Sequence, residues 1–598
     1  MSGGMSAAAG GREGVRMAIL ASRLDTIARK MANTLFRTAR SGVLNSGHDF
    51  SCVILTADCR LLTAAESLPI HVMIGPDLMC QAVLRHHPEP KRGDAFLHNS
   101  PYDGNSHAAD QCIIVPVLDE EGRHRFWVLC KAHQADVGNS EPTTYMGHAK
   151  DVYQEGALIF PGVRVQRDYR DVGDIIRMCM ARIRVPEQWW GDYLAALGAA
   201  RIGERELLAL GREVGWDALA AHAEAWFDYS EARMRQAIRR LPSGRTVVRT
   251  CHDPFPGVPD GIPLRIAVAV DGDEGRIEVD LRDNPDCRPC GLNLTEACAL
   301  STAMIGVYNG IADHTVPPNA GSFRRVRVRI RDNCVVGRPR HPYSCSVATT
   351  NLADRVSSPV QRAIAEIAAG FGMAEGAPIF PPAGGVISGT DPRRHGAPFV
   401  NQIHLGLTGG AGAPTTDGWL TIVHVGNAGI CRHDGIEVDE LAHPIRIPER
   451  RLVQDSEGAG EFRGAPGVRV ELGPIAACAM RIFFTADGTV NPAQGARGGL
   501  PGGRIQALKR ERTGALVPQP PCGGVALAPG ETIVSVSAGG GGYGRPTARA
   551  PERVAHDVAE GWVSRERAAA VYGVILSEDG GLDAGATAAR RAALAEAG

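Results

Sequence analysis

The chain has 598 residues, 44% of them hydrophobic and 22% charged, with a formal net charge of -2. That length and apolar content support a sizeable core spread over several packed regions, and the near-neutral charge lacks the basic surplus of a nucleic-acid or anionic-membrane binder. Charged residues interrupt every apolar stretch well before the roughly 18–20 residues a membrane helix needs, and an odd set of 15 scattered cysteines fits reduced thiols in a cytoplasm better than a disulfide framework.

Residues 1–20 are rich in Gly, Ala and Ser, lack the pattern of a secretory signal, and are read as a disordered tail. Residues 21–170 read as a mixed α/β region. Leu24, Ile27, Ala28, Met31 and Leu35 recur at helical period behind a capping Ser22. HDFSCVILTADCRLL then switches to period two, with Asp58 at the turn between two strands and Asp49 entering the first. A strand carrying Ile70 and Val72 is expected next, flanked by Glu66 and His71, both read as surface or supporting groups. A helix opened by Gly75, Pro76 and Asp77 follows.

The most informative stretch runs from Asn99 to Asn139. Two apolar runs, Cys112 to Leu118 and Phe126 to Cys130, are split by a charged segment containing Gly122 and predict a β-hairpin. With the turn centred between Glu121 and Gly122, Asp110 falls opposite His133, and His107 sits three residues earlier in a Gly/Asn/Ser-rich loop able to curl back. Two imidazoles and a carboxylate suit Mn²⁺, Fe²⁺ or Zn²⁺, and Asp49 is a possible fourth ligand. Spacing alone leaves open the simpler reading of ordinary polar residues at strand ends, and a one-residue bulge would separate the pair. The loop that follows offers Asp136, His148, Asp151 and Glu155 as further polar groups.

Residues 171–245 have helical periodicity and read as a layer covering a sheet, with Trp189 and Trp190 in its packing. Residues 246–375 mix strands and helices. Cys287 and Cys290 form a CxxC without a second pair and are read as plain thiols, and the arginines of FRRVRVRIRD as a solvated strand face. Gly and Pro dominate about 370–396, the best candidate boundary, and residues 376–550 are expected to be β-rich, including strands at LTIVHV, PIRIPE, VRVELG, MRIFFTA and TIVSVSA. His404, His424, His433 and His443 fall there without a pattern. GGGGYG follows a strand and opens no helix, so it fails the context required for dinucleotide binding. Residues 551–598 read as C-terminal helices and a tail. The fold class expected is α+β or mixed α/β, multi-layered, with β-hairpins, a helical layer and a β-rich C-terminal half. No GxxxxGK[ST], GxSxG or HExxH motif occurs, so any nucleotide site is expected on another polypeptide.

Several blocks together resemble the hydantoinase B/oxoprolinase family: HDFSCVILTADCRLLTAAESLPIHV, GDAFLHNSPYDGNSHAADQ, KAHQADVGN, VYQEGALIFP, RVPEQWWGDYLAALGAARIGERELL, PPNAGSFR, GAGEFRGAPGVRVE, AGGGGYG and ERVAHDVAEGWVSRERAAAVYGVIL. They span about residues 20–575 in the family's order. The resemblance implies a metal-bearing subunit working in a hetero-oligomer with a hydantoinase A-type ATPase subunit that binds ATP. It implies ATP-dependent opening of hydantoin, 5-oxoproline or lactam rings, or ATP-dependent carboxylation of acetone or acetophenone. It maps the metal ligands onto Asp49, His107, Asp110 and His133. The chain departs from the family pattern at Ser100, Gln134 and Asn139.

The reading adopted from the sequence is the cyclic-amide hydrolase subunit with one divalent metal, Mn or Zn, with Fe as an option, and with Asp136 orienting a ligand or the attacking water. A ketone carboxylase subunit is the alternative. A non-catalytic scaffold for the ATPase is the third.

Overall fold

The computed structural model describes residues 3–597 and has the expected mixed α/β class, with four sheets among the described residues. Strands β1 (Phe50–Thr56), β2 (Leu61–Ala64), β3 (Ala95–His98), β4 (Asp110–Leu118), β5 (His124–His133), β6 (Val163–Arg167) and β7 (Arg170–Asp171) form an antiparallel sheet in the order β2-β1-β5-β4-β3-β6-β7. Alternate side chains face opposite sides of a strand, and both sides are covered here. Cys52, Ile54, Ile113, Val115, Val128 and Cys130 pack with α1 (Gly3–Thr38), α2 (Pro186–Val214) and α3 (Trp216–Ile238). Val53, Leu55, Ile114, Trp127 and Leu129 pack against the helix Pro76–His86.

Two local expectations change in this region. Helix α1 starts at Gly3, so residues 3–20 are helical rather than a disordered tail, and Ser22 lies inside the helix, its carbonyl accepting from Thr26 Oγ1. No proline interrupts that stretch. The expected strand at Ile70 and Val72 is instead a single helical turn, Pro69–Val72. Pro69 occupies its first position, where a fixed φ and a missing N–H cost nothing.

Strands β8 (Gly244–His252), β9 (Ile262–Asp271), β10 (Arg276–Asp280) and β11 (Val326–Arg329) make a second sheet, with β10 and β11 parallel. It packs against α4 (Glu296–Ile311), capped by Thr295, and α5 (Asp354–Ile367). Strands β12 (Val386–Asp391), β13 (Ala397–Gln402), β14 (Ile445–Leu452), β15 (Val468–Pro474), β16 (Met480–Thr485), β17 (Gln506–Arg510), β18 (Leu516–Pro518), β19 (Cys522–Leu527) and β20 (Thr532–Val536) complete two further sheets, β13-β12-β16-β19 and β14-β15-β20-β17-β18.

LTIVHV is not one of these strands. Ile422 makes an isolated bridge with Thr408, and His424 caps a short turn at Val425–Asn427 by accepting from the Gly426 amide, which stops the extension. The Gly/Pro-rich stretch expected as a boundary is buried from 374 to 387, bonded through Glu375 and Ala377 to Gln494 and Gly409. GGGGYG is buried too. The amides of Gly539, Gly540, Gly541 and Gly542 donate to the carbonyls of Gly503, Ala465, Glu375 and Leu500, which belong to three separate segments. A Cβ on Gly540 would meet the Gly410 carbonyl oxygen at 2.0 Å, so only glycine permits this backbone packing. The last residues also form a helix, Ala584–Ala597, rather than a tail. Among the described residues no helix is long and apolar enough to cross a membrane.

Candidate metal centre

The hairpin pairs Asp110 with His133, as the sequence predicts. The route to that register differs. The turn bonds the Asp119 amide to the Arg123 carbonyl and so centres on Glu121, and a bulge between Val117 and Leu118 restores the offset. The bulge that threatened the pairing is what produces it. The preceding loop is fixed by two asparagines: Asn99 donates to the Ala108 and Leu158 carbonyls, and Asn105 to those of His107 and Asp110.

These constraints bring His107, Asp110 and His133 into one buried cluster whose ligand atoms lie within 4.8 Å of one another. His107 Nε2 is 3.1 Å and His133 Nδ1 3.0 Å from the same Asp110 Oδ1, and the two nitrogens are 3.2 Å apart. His107 Nδ1 is 2.8 Å from the Ser346 carbonyl oxygen. A carbonyl only accepts, so that nitrogen carries a proton; burial lowers the pKa of the ring, but Asp110 outweighs it and raises it, so without a cation it is a second proton, on Nε2, that bridges to the carboxylate. Lone pair against lone pair requires a proton or a cation between them. Two ligands about 2.1 Å from a common ion at right angles would stand about 3.0 Å apart, so the spacing suits a metal polyhedron.

Electrostatics fit the same reading. Burial raises the Asp110 carboxyl, but His107 and His71 outweigh it and hold it well below the usual range. Burial pushes His133 down to about 4, leaving the neutral imidazole a metal requires. Asp49 is buried at the start of β1, where desolvation and then the Asp110 charge push it up to about 8. A divalent cation between the two carboxylates removes that penalty. The backbone of Asp49 is tied to the site directly, its carbonyl accepting from the His133 amide.

His71 belongs here as well. Its Nε2 lies 3.1 Å from Asp110 Oδ2 and 3.7 Å from Asp49 Oδ1, and its Nδ1 is 3.3 Å from Ser51 Oγ. The signal for it was Pro69, which turns the chain into a helix and swings His71 under the sheet. Glu66, by contrast, is exposed and pairs with Arg29. Tyr145, absent from the sequence reading, stacks on His133 at 5.3 Å and lies over His107 at 5.6 Å.

Among the described residues Asp136 makes no hydrogen bond to any of the four proposed ligands. Its oxygens accept from the Gly138 amide, the Arg184 amide and the Arg184 guanidinium, so it fastens the loop to the segment before α2. Asp151 caps a helical turn and Glu155 accepts from Ser344. The three departures from the family pattern bond within their own loops: Ser100 to Asp103, Gln134 to Ala132 and Asn139 to Thr143. Cys287 and Cys290 are buried free thiols. His424 pairs with Asp354 at 3.1 Å.

Fold and cluster together define a multi-sheet α/β protein with one buried histidine–aspartate centre. The chain belongs to the hydantoinase B/oxoprolinase family, whose model matches residues 13–546. It is 31% identical to caprolactamase subunit beta of Pseudomonas jessenii over 97% of this chain and 99% of that one. The crystal structure of ATP-dependent caprolactamase from the same organism superposes with a TM-score of 0.86 at 28% identity, covering 97% of this chain and 99% of that chain. A nucleotide-free acetone carboxylase structure shares the fold, with a TM-score of 0.84 at 17% identity over 98% of this chain and 83% of that one.

Proposed function

We propose that this chain is the metal-bearing subunit of an ATP-dependent cyclic-amide hydrolase, acting with a hydantoinase A-type ATPase subunit. The observation that carries the reading is the convergence of His107 Nε2, His133 Nδ1 and Asp110 Oδ1 in a buried site. The relative with 31% identity is named as the beta subunit of a caprolactamase. The acetone carboxylase likeness supports the fold alone.

An amide carbonyl is a poor electrophile, and phosphorylation of its oxygen by the partner makes the carbon open to water. His107, Asp110, His133 and Asp49 are the residues that would hold a divalent cation, which would supply Lewis acidity and lower the pKa of a bound water. The chain's own residues prepare that step. The Ser346 carbonyl fixes the His107 tautomer, and Thr144 Oγ1, 3.1 Å from His133 Nε2, orients the second ring. His71 and Ser106 hold the outer oxygen of Asp110, and Tyr145 covers both imidazoles and excludes bulk water.

Metal analysis by plasma mass spectrometry tests this on wild type, His107→Ala and His133→Ala. Near-stoichiometric metal in wild type, lost in both variants that remain folded, is expected, together with ATP-dependent opening of hydantoin or 5-oxoproline in the presence of the partner. Folded wild-type protein that binds no metal after supplementation would sink the mechanism.

A further inference from the structure

A cavity of about 260 Å³ lies between α4, α5 and the segment 410–429, lined by Asn309, Gln361, Met373, Trp419, Ile422 and Val425 together with small residues. None of the four proposed metal ligands reaches it, and among the described residues none of its lining side chains is charged. It is smaller than the roughly 300–1,000 Å³ of sites for drug-sized ligands, so it holds a single ring system.

Its outer wall is fixed in place. Ile422 exchanges two backbone hydrogen bonds with Thr408. Trp419 is 78% exposed, yet its backbone is pinned. Its carbonyl accepts from the Gly410 amide at 3.0 Å, the Gly418 amide donates to the Arg463 carbonyl at 2.8 Å, and Asp417 pairs with Arg549 and Arg553. A large aromatic surface left in water on a held backbone, beside an apolar cavity, is a stacking platform without a partner.

Hydrogen bonds set the direction of the polar group on the helical side. Gln361, on α5, is buried, and the Ala374 carbonyl 2.6 Å from it only accepts, so Nε2 is the atom placed there and Oε1 faces α4. Asn309 Nδ2 donates to that oxygen at 3.0 Å. The amide of Asn309 is thereby oriented, and its Oδ1 is left as an acceptor with no donor among the described residues.

We infer that this cavity binds a small neutral aromatic ring carrying one O–H or N–H donor, of the phenol or indole type. The ring stacks on Trp419 and meets the polarizable sulfur of Met373, and its donor pairs with Asn309 Oδ1. An aliphatic compound lacks the π face, and a carboxylate would bring a charge that no lining group compensates.

Ligand-observed NMR titration of the full chain tests this with indole and phenol beside 1-methylindole, anisole and cyclohexanol. Indole and phenol are expected to bind wild type roughly three- to tenfold tighter than their methylated counterparts, the worth of one hydrogen bond, and phenol to bind tighter than cyclohexanol. Trp419→Ala, at an exposed side chain, is expected to weaken indole and phenol roughly tenfold, and Asn309→Ala to bring the ratio of indole to 1-methylindole towards one. No saturable binding of indole or phenol, equal affinity within each methylated pair, or unchanged affinity in Trp419→Ala overturns the proposal. The methylated pairs are read on wild type, so they decide even where Asn309→Ala fails to fold.

Discussion

Ser106 joins two buried charges. Its hydroxyl bonds Asp110 Oδ2 and accepts from Lys131 Nζ at 3.1 Å, and Lys131 is fully buried. The lysine charge is thereby brought to the Oδ2 side of the carboxylate, which it shares with His71 and which is opposite the oxygen facing His107 and His133. Ser106→Ala leaves ammonium and carboxylate each short of a partner, and metal affinity is expected to fall roughly 10–100-fold with the fold kept. A competition titration with a metal-sensitive dye reads this, and wild-type affinity would count against the linkage. The same scale shows what motif spacing can deliver. His107, Asp110 and His133 were legible because a hairpin and a short loop are local structures, whereas His71 and Tyr145 meet them only after separate chain segments pack. Asp136 lies close to these residues in sequence, and in the fold Arg184 binds its carboxylate.

At the scale of the element, the hairpin works through its defect. Arg125 is the extra residue of the bulge, and its guanidinium accompanies that of Arg123 on Asp119, anchoring the turn that sets the register. A different element yields a pH prediction. Asp439, in the first turn of the helix Ile436–Ala442, is buried with Oδ2 unpartnered, and desolvation and then Asp434 push it up to about 8. Between the ordinary carboxylate range and about 8, the folded chain holds a proton that the unfolded chain has released. Stability therefore falls as pH rises through that window and levels off above it. Asp439→Asn is expected to raise the melting temperature by roughly 1–3 °C at pH 8 and to leave it unchanged at pH 4. Equal shifts in calorimetry at both pH values would refute the assignment.

For the whole molecule, the centre lies where regions distant in sequence meet. The loop carrying His107 is bonded to Ser346, Tyr145 packs on Phe380, and the segment before Asp49 packs against His404 and Cys431. The glycine-rich backbone bundle around 539–542 supports the C-terminal side of that junction, and its tolerance is testable. Gly540→Ala places a methyl 2.0 Å from the Gly410 carbonyl oxygen, against the backbone of Gly409 and Gly410, and is expected to cost more than about 4 kcal/mol and to lose soluble protein. Gly198→Ala in α2, where nothing stands within 4 Å, is the control and should gain about 0.5–1 kcal/mol from helix propensity. Melting curves for the pair check both, and a Gly540→Ala protein as stable as wild type would show that the bundle yields.

By itself the sequence determined the hairpin, the mixed α/β class and the family, because each is carried by periodicity or a local block of residues, whereas the pairing of Asp110 with His133 needed the bulge at Arg125 that the sequence did not show. Tertiary structure decided the rest. It turned a presumed boundary and a failed nucleotide motif into buried packing, since contact between backbones many residues apart leaves only a glycine in the sequence. It also brought His71 and Tyr145 around the centre. Their convergence depends on loop closures between separate chain segments, which no local pattern encodes.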